Sequence, residues 1–199
     1  MLNGMMAATD AILRTTEEQL VAGCRAGDRD SLEQVYALYG QPVFRHALFL
    51  LGNRDEADDI KQETFLRAFQ GIGKFRRDSS LHTWLIRICS HLCYERIRRR
   101  RNRLEVLCDP TTVAGLDVDE AADHLAEWNR STTLETALYV LQHLPFAHRQ
   151  LIVLHLIEGR DYGEIAAVLG CARGTAKMRV LRATRQLKER VLALLREGS

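Results

Sequence analysis

Apolar residues recur along this chain at spacings of three and four and almost nowhere alternate, so the pattern predicts helices throughout and an all-α protein. Thr16-x-x-Gln19 has the form of a capping box that opens a first helix through Leu20, Val21 and Cys24, and Gly27-Asp28 breaks it. Ser31 is placed to cap a second helix in which Leu32, Val35, Tyr36 and Tyr39 form one face. Gln41-Pro42 predicts a kink or a turn at most, after which Phe44–Leu51 continue the pattern to Gly52-Asn53. Asp55–Phe69 reads as a third amphipathic helix, with Ala57, Ile60, Phe65, Leu66 and Phe69 on its buried side. Gly71-Ile72-Gly73-Lys74 interrupts the pattern, Phe75–Ser80 is a polar loop, and a fourth helix runs from about Leu81 to Arg100.

From Leu104 to about Arg130 there is little usable periodicity, with Asp109-Pro110 and Gly115, and at most partial helix around Ala121–Trp128. Helical patterning returns over Thr132–His143, is cut by Leu144-Pro145 and resumes in Arg149–Glu158. Asp161–Arg190 then has the form of a helix-turn-helix. Ile165, Ala166, Val168 and Leu169 give the first helix a short apolar face, and Gly170 ends it where a positive φ is suited. Small Ala166 allows a close crossing with a second helix in which Val180, Leu181, Ala183, Thr184 and Leu187 repeat. The expected organisation is a mobile N-terminus (residues 1–15), a four-helix domain (16–103), a flexible linker (104–131) and a second four-helix domain (132–199).

Charge sharpens this division. The net charge of +2 conceals six arginines within the eight residues Arg96–Arg103 and a second basic cluster on the last helix, while Glu105–Glu135 is strongly acidic. Arg173, Lys177, Arg179, Arg182, Arg185 and Lys188 project from that last helix, as they would to sit in a major groove between phosphates. An ordinary helical hairpin with a solvated basic face is the alternative on this segment alone.

The five cysteines, Cys24, Cys89, Cys93, Cys108 and Cys171, are scattered and odd in number, which suits reduced thiols of the cytoplasm rather than a disulfide framework. Cys89-x-His91-x-Cys93 invites a metal reading, but residues two apart on a helix point to different sides, so no metal or other cofactor is expected. The same scatter offers no nucleophile–base pair for a thiol or metal enzyme. No signal peptide or membrane-spanning run is read, the longest apolar candidate being Ala47–Gly52, so a cytoplasmic protein without membrane insertion is expected.

Two ordered sets of residues resemble a known family. Asp59, Gln62, Glu63 and Phe65, then Phe75, Arg76, Asp78 and Ser79, then Thr83, Trp84, Leu85, Arg87 and Ile88, followed by the arginine cluster, are similar to region 2 of the bacterial sigma factors. Leu144-Pro145, Arg149, Glu158-Gly159, Tyr162, Glu164-Ile165-Ala166, Leu169-Gly170 and Gly174-Thr175-x-Lys177 are similar to region 4. With no room for other regions, the resemblance is to the extracytoplasmic-function (ECF) group and covers nearly everything from Glu17 to Leu195.

That resemblance implies a non-enzymatic specificity subunit for a stress or signal regulon, which binds core RNA polymerase, recognises −35 and −10 elements and assists strand opening. It implies that Asp59, Gln62 and Glu63, bordered by Phe65, dock on the coiled coil of the β′ clamp, with the β flap as a second polymerase contact. Lys61 stands where an apolar residue is common. Phe75, Arg76, Asp78, Ser79 and Ser80 match the loop that holds a flipped −10 base, and Trp84 matches the first of two melting tryptophans, Leu85 standing at the second. Phe75 and Trp84 read equally well as core aromatics. His91 replaces a frequent Asn, and Arg87, Arg96, Arg98, Arg99 and Arg100 are expected on phosphates of the −10 strand. Lys177, Met178, Leu181 and Arg182 match the −35 readers, with Arg173, Thr175, Arg179 and Arg185 around them, and Ala176 replaces a core valine. The acidic linker reads either as a plain tether or as a strand that occupies the polymerase cleft. An anti-sigma factor is the implied regulator. A free-standing helix-turn-helix regulator of duplex DNA is the alternative, although no dimerisation heptad is visible.

Overall fold

The computed structural model describes residues 17–107 and 133–197, and every described element is helical. Residues 1–16, 108–132 and 198–199 lie outside the described residues, and with them the expected N-terminal segment and residues 108–131 of the expected linker. The chain divides into two compact units: the described residues up to Leu48 with Asn53–Ser90, and Phe49–Gly52 with the described residues from His91 onward.

The first unit contains α1 (residues 17–26), most of α2 (Arg29–Leu51), α3 (Arg54–Gly71), a 3₁₀ turn (Ile72–Lys74) and the start of α4 (Leu81–Leu107). Its core is built from the apolar faces of all four helices, with Val21, Val35, Val43, Ile60, Leu85 and Ile86 buried. Burial of these faces supplies most of the helical stability, since propensity alone leaves short helices marginal. Gly23 lets α1 and α2 cross closely, because a Cβ there would collide with the Ser31 side chain. Within the core, His46 and Ser90 satisfy one another at 2.8 Å.

Several boundaries differ from the sequence expectation. The cap of α2 is Asp28, whose carboxylate accepts from Ser31 N at 2.9 Å, and Ser31 lies inside the helix. α2 runs through Pro42 without a break. Val35 before the proline and Val43 and Ala47 after it are buried, so packing on both sides offsets the lost backbone bond. α4 continues past Arg100 to Leu107, taking up the first residues assigned to the linker. Leu66 is 53 % exposed rather than core.

The second unit holds α5 (Thr133–Gln142), α6 (Phe146–Ile152), a π turn (Val153–Ile157), α7 (Tyr162–Leu169) and α8 (Arg173–Glu197). Val140, Leu144, Leu154, Ile165 and Val180 are among its buried side chains. Asp161 opens α7 with a complete capping box, accepting from Glu164 N at 3.0 Å while the Glu164 carboxylate accepts from Asp161 N at 3.1 Å. Gly170 closes α7 at φ 63°, ψ 40° and turns the chain into α8.

The Glu164 and Gly163 amides hold the Asp161 carboxyl below the usual carboxylate range. A depressed folded pKa means that this stabilisation is complete above the unfolded value near 3.9 and fades as pH falls through the folded one. Asp161→Ala is therefore expected to cost about 1 kcal/mol at neutral pH. The gap from the parent protein should narrow only in acid, as urea melts at stepped pH will read. A gap that widened below pH ~4 would contradict the cap's role.

Candidate polymerase and nucleic-acid surfaces

α3 presents the first surface. Asn53 caps it, accepting from Glu56 N at 2.9 Å, and thereby fixes which residues of the helix face outward. Asp59 and Gln62 are exposed, Glu63 is half-buried, and spacings of three and four residues put them on one side. Phe65 is not on that side: it is 3 % exposed and packs against Tyr36 and Phe69, supporting the patch from beneath. The residue that completes the patch is Leu66, three and four positions after Glu63 and Gln62. Its position on the polar stripe was the sequence signal for it, overridden by its hydrophobicity.

Two further groups shape this surface. Asp58 accepts from Lys61 Nζ at 2.5 Å and from Gln62 Nε2 at 2.8 Å, so Gln62 is oriented by a carboxylate one turn earlier. Lys61, standing where an apolar residue was expected, lies against the rings of Tyr36 and Phe44 at 5.9 and 5.7 Å. Its bond to Asp58 raises its pKa, and the same bond lowers that of Asp58. A cation packed on two rings explains how lysine is accommodated there.

The loop between the 3₁₀ turn and α4, with the exposed face of α4, forms the second surface. Arg76, Asp78 and Ser80 are exposed and Ser79 is half-buried. Phe75 is core: it is 3 % exposed and tilts against Trp84 with ring centroids 5.1 Å apart. Trp84 is half-buried, so one side of its ring is committed to Phe75 and the remainder stays accessible. The Ser80 hydroxyl accepts from Thr83 N at 3.2 Å and so begins α4 as well as lining the loop. Arg77 has φ 64°, a conformation uncommon for arginine, and pairs with Glu18.

Along α4, Arg87, His91, Arg98, Arg99 and Arg100 are exposed and Arg96 is half-buried. Sequence reasoning missed Glu95, which lies 3.2 Å from Arg99, 3.7 Å from Arg98 and 3.8 Å from His91. One carboxylate thus gathers three of the expected strand-binding groups onto one stretch of helix. Cys89 and Cys93 are buried on the opposite side from exposed His91, which separates the three side chains of the suspected metal set.

α8 forms the third surface. Ala176, Val180 and Ala183 are buried at spacings of four and three, so the opposite side of the helix must face out. Met178, Leu181, Arg182 and Arg185 lie there, with Lys177 and Arg179 on the flanks and Arg173 and Thr175 in the first turn, all exposed. Met178 and Leu181 are 51 % and 48 % exposed, and Leu181 leaves the packing stripe to which its spacing had assigned it. The fully buried Ala176 fits the crossing with α7, where Ala166 and Ile165 are also buried. Arg185 carries an ion pair to Glu189 at 2.7 Å, an acidic neighbour that the charge count had hidden.

Arg149 belongs to none of these surfaces. Its guanidinium donates to the Gln142 and Leu144 carbonyls and, at 3.1 Å, to Gln142 Oε1, clamping the turn between α5 and α6. Burial pushes its pKa down.

Comparison with known proteins bears on these surfaces. The Sigma-70 region 2 family model matches residues 35–103, and the Sigma-70, region 4 model matches residues 134–187. The ECF RNA polymerase sigma factor SigM of Mycobacterium tuberculosis is 31% identical over 92% of this chain and 88% of its own length. SigW of Bacillus subtilis, also an ECF RNA polymerase sigma factor, is 29% identical over 84% of this chain and 92% of its own. Among solved structures, CnrH in complex with the cytosolic domain of CnrY matches with a TM-score of 0.63 and 25% identity, covering 92% of this chain and 99% of that one. The sigma factor RpoE in complex with the anti-sigma factor NepR, from Bartonella quintana, matches with a TM-score of 0.59 and 26% identity over 80% and 95%.

Proposed function

This chain belongs to the extracytoplasmic-function group of the bacterial sigma-70-type RNA polymerase sigma factors, and from that membership we propose how its three surfaces divide the work of transcription initiation. The observation that carries the reading is the ordered match of region 2 and region 4 on one chain, each with an exposed basic helix in the matched span. A free-standing helix-turn-helix regulator accounts for the second match and leaves the first without a role.

The α3 patch of Asp59, Gln62 and Glu63 docks on the β′ clamp, where acidic and amide groups meet opposite charge and exposed Leu66 supplies apolar contact. The exposed pair Leu156 and Ile157, turned outward at the end of the π turn, offers the β flap an apolar contact on the second unit. Arg76, Asp78 and Ser79 take up a flipped −10 base, and Trp84 stands at the edge of the opened duplex, with Phe75 shaping the pocket from within. The α4 arginines hold the strand through its phosphates. α8 enters the major groove of the −35 element with Lys177 and Arg182 reading bases. An anti-sigma factor regulates the protein by covering these surfaces, a reading supported by the relative RpoE, whose structure was solved with the anti-sigma factor NepR. Its place of work is the cytoplasm, with the polymerase.

Run-off transcription with purified core polymerase on the promoter of the protein's own operon tests this. Promoter-specific transcripts are expected only when the protein is present. Asp59→Ala with Gln62→Ala should reduce them tenfold or more, on the order of 1.4 kcal/mol of lost docking, without changing the circular dichroism of the chain. Tight sequence-specific duplex binding by the protein alone, with no association with core polymerase, would establish the free-standing regulator instead.

A further inference from the structure

α1 lies before the residues matched by the region 2 model, yet it makes several polar contacts to the loop between α3 and α4. Arg25 Nε donates to the Ile72 carbonyl at 3.3 Å and Nη2 donates to the Phe75 carbonyl at 2.6 Å. The Ile72 carbonyl opens the 3₁₀ turn and also accepts from Phe75 N at 3.2 Å, and the Phe75 carbonyl lies just past the turn, where the chain leaves the helix. The Glu17 carboxylate accepts from Leu81 N at 2.9 Å, at the first residue of α4. Glu18 pairs with Arg77, the one described non-glycine residue with positive φ.

The contacts of these three α1 residues therefore fall at the entry, the middle and the exit of the loop. Between these ties lie Arg76, Asp78 and Ser79, the side chains assigned to the flipped base. A loop of this length held only by its own residues would sample several backbone shapes, and an uncommon φ persists only where surrounding contacts determine it. Phe75 adds an apolar anchor on Trp84 from inside the unit.

We infer that α1 is the template of the −10 recognition loop: Arg25, Glu17 and Glu18 are positioning residues that fix the loop's backbone and so set which base it accepts. The inference rests on the assignment of this loop to −10 recognition.

The test uses the full-length protein with core polymerase and a pool of its promoter fragments randomised across the −10 element, the transcripts being sequenced to give a base-preference profile. Arg76→Ala and Asp78→Ala define which positions the loop reads. Arg25→Ala is expected to reduce discrimination at those same positions about tenfold, the scale of losing a charge-assisted hydrogen bond, with core affinity and −35 preference retained. Arg25→Lys should recover part of it. In a second arm, Glu18→Arg and Arg77→Glu together should keep more of the preference than either alone, which decides the matter if Arg25→Ala fails to fold. A purely structural role would lower all transcripts alike and leave the profile unchanged; that result overturns the template while the loop assignment stands. If Arg76→Ala and Asp78→Ala also leave the profile unchanged, the loop assignment falls and the template falls with it.

Discussion

Replacing Arg149 by alanine is expected to loosen the second unit more than any other single change to a polar residue outside the three surfaces. The guanidinium donates to two main-chain carbonyls and one amide oxygen around the turn that joins α5 to α6, and at 2.6 Å to a third main-chain carbonyl, that of Leu50 in the same unit. Alanine leaves these acceptors without a charged donor in a partly buried site, and each unpaired group costs roughly 1–3 kcal/mol. With some relief from entering water, the sum is about 2–5 kcal/mol, a large share of what holds a small domain folded. Arg149→Lys should recover only a fraction, because a single ammonium cannot reproduce the fork that reaches Gln142 and Leu144 together. Hydrogen exchange in the intact chain reads this locally. Amides of α5 and α6 should lose protection in Arg149→Ala, while those of α3, in the other unit, keep theirs. Unchanged protection of α5 and α6 would show that apolar packing holds the turn without the arginine.

This role explains why Arg149 was visible in the sequence only as part of a resemblance. Its partners are backbone carbonyls, which any residue supplies, so no spacing of side chains announces the contact. The same reason hid Arg25 and Glu17, whose partners lie on the backbone 47 to 64 residues away along the chain. Features set by local chemistry were legible: Gly170 at positive φ, the end of α2 at Gly52, the amphipathic stripe of α3 and the outward basic side of α8. Where two local rules competed, the sequence could not choose between them. Ser31 and Asp28 both cap well, and the carboxylate took the position because it lies outside the first turn. Leu66 and Phe65 are both apolar on one helix, and only the partners across the core decide that Phe65 goes in and Leu66 stays out. Phe75 shows the opposite outcome of the same competition, an aromatic in a polar loop that turned inward onto Trp84.

Substitutions on α8 should separate into two kinds, and the separation follows from the geometry of one helix. Arg182 projects from the side opposite the buried stripe and Lys177 from its flank, and in the proposed docking of α8 these two read base edges. Arg182→Ala and Lys177→Ala are each expected to cost about 1–3 kcal/mol against the preferred −35 duplex and much less against a scrambled one, so specificity collapses toward the non-specific level. Arg173→Ala and Arg179→Ala, at the first turn and the other flank, should weaken both duplexes alike and reduce the slope of log affinity against log salt by about one. Anisotropy titrations of the full chain on both duplexes, at several salt concentrations, distinguish the two classes.

Glu189 gives the same experiment a change of opposite sign. It holds Arg185 Nε in an exposed ion pair at 2.7 Å, which partly neutralises the charge that Arg185 would offer a phosphate. Glu189→Gln should tighten binding to both duplexes and steepen the salt slope, since it removes a repelling charge and frees a cation together. If Glu189→Gln instead weakened binding, or Arg182→Ala affected the two duplexes equally, the outward side of α8 would not be the face that lies in the groove.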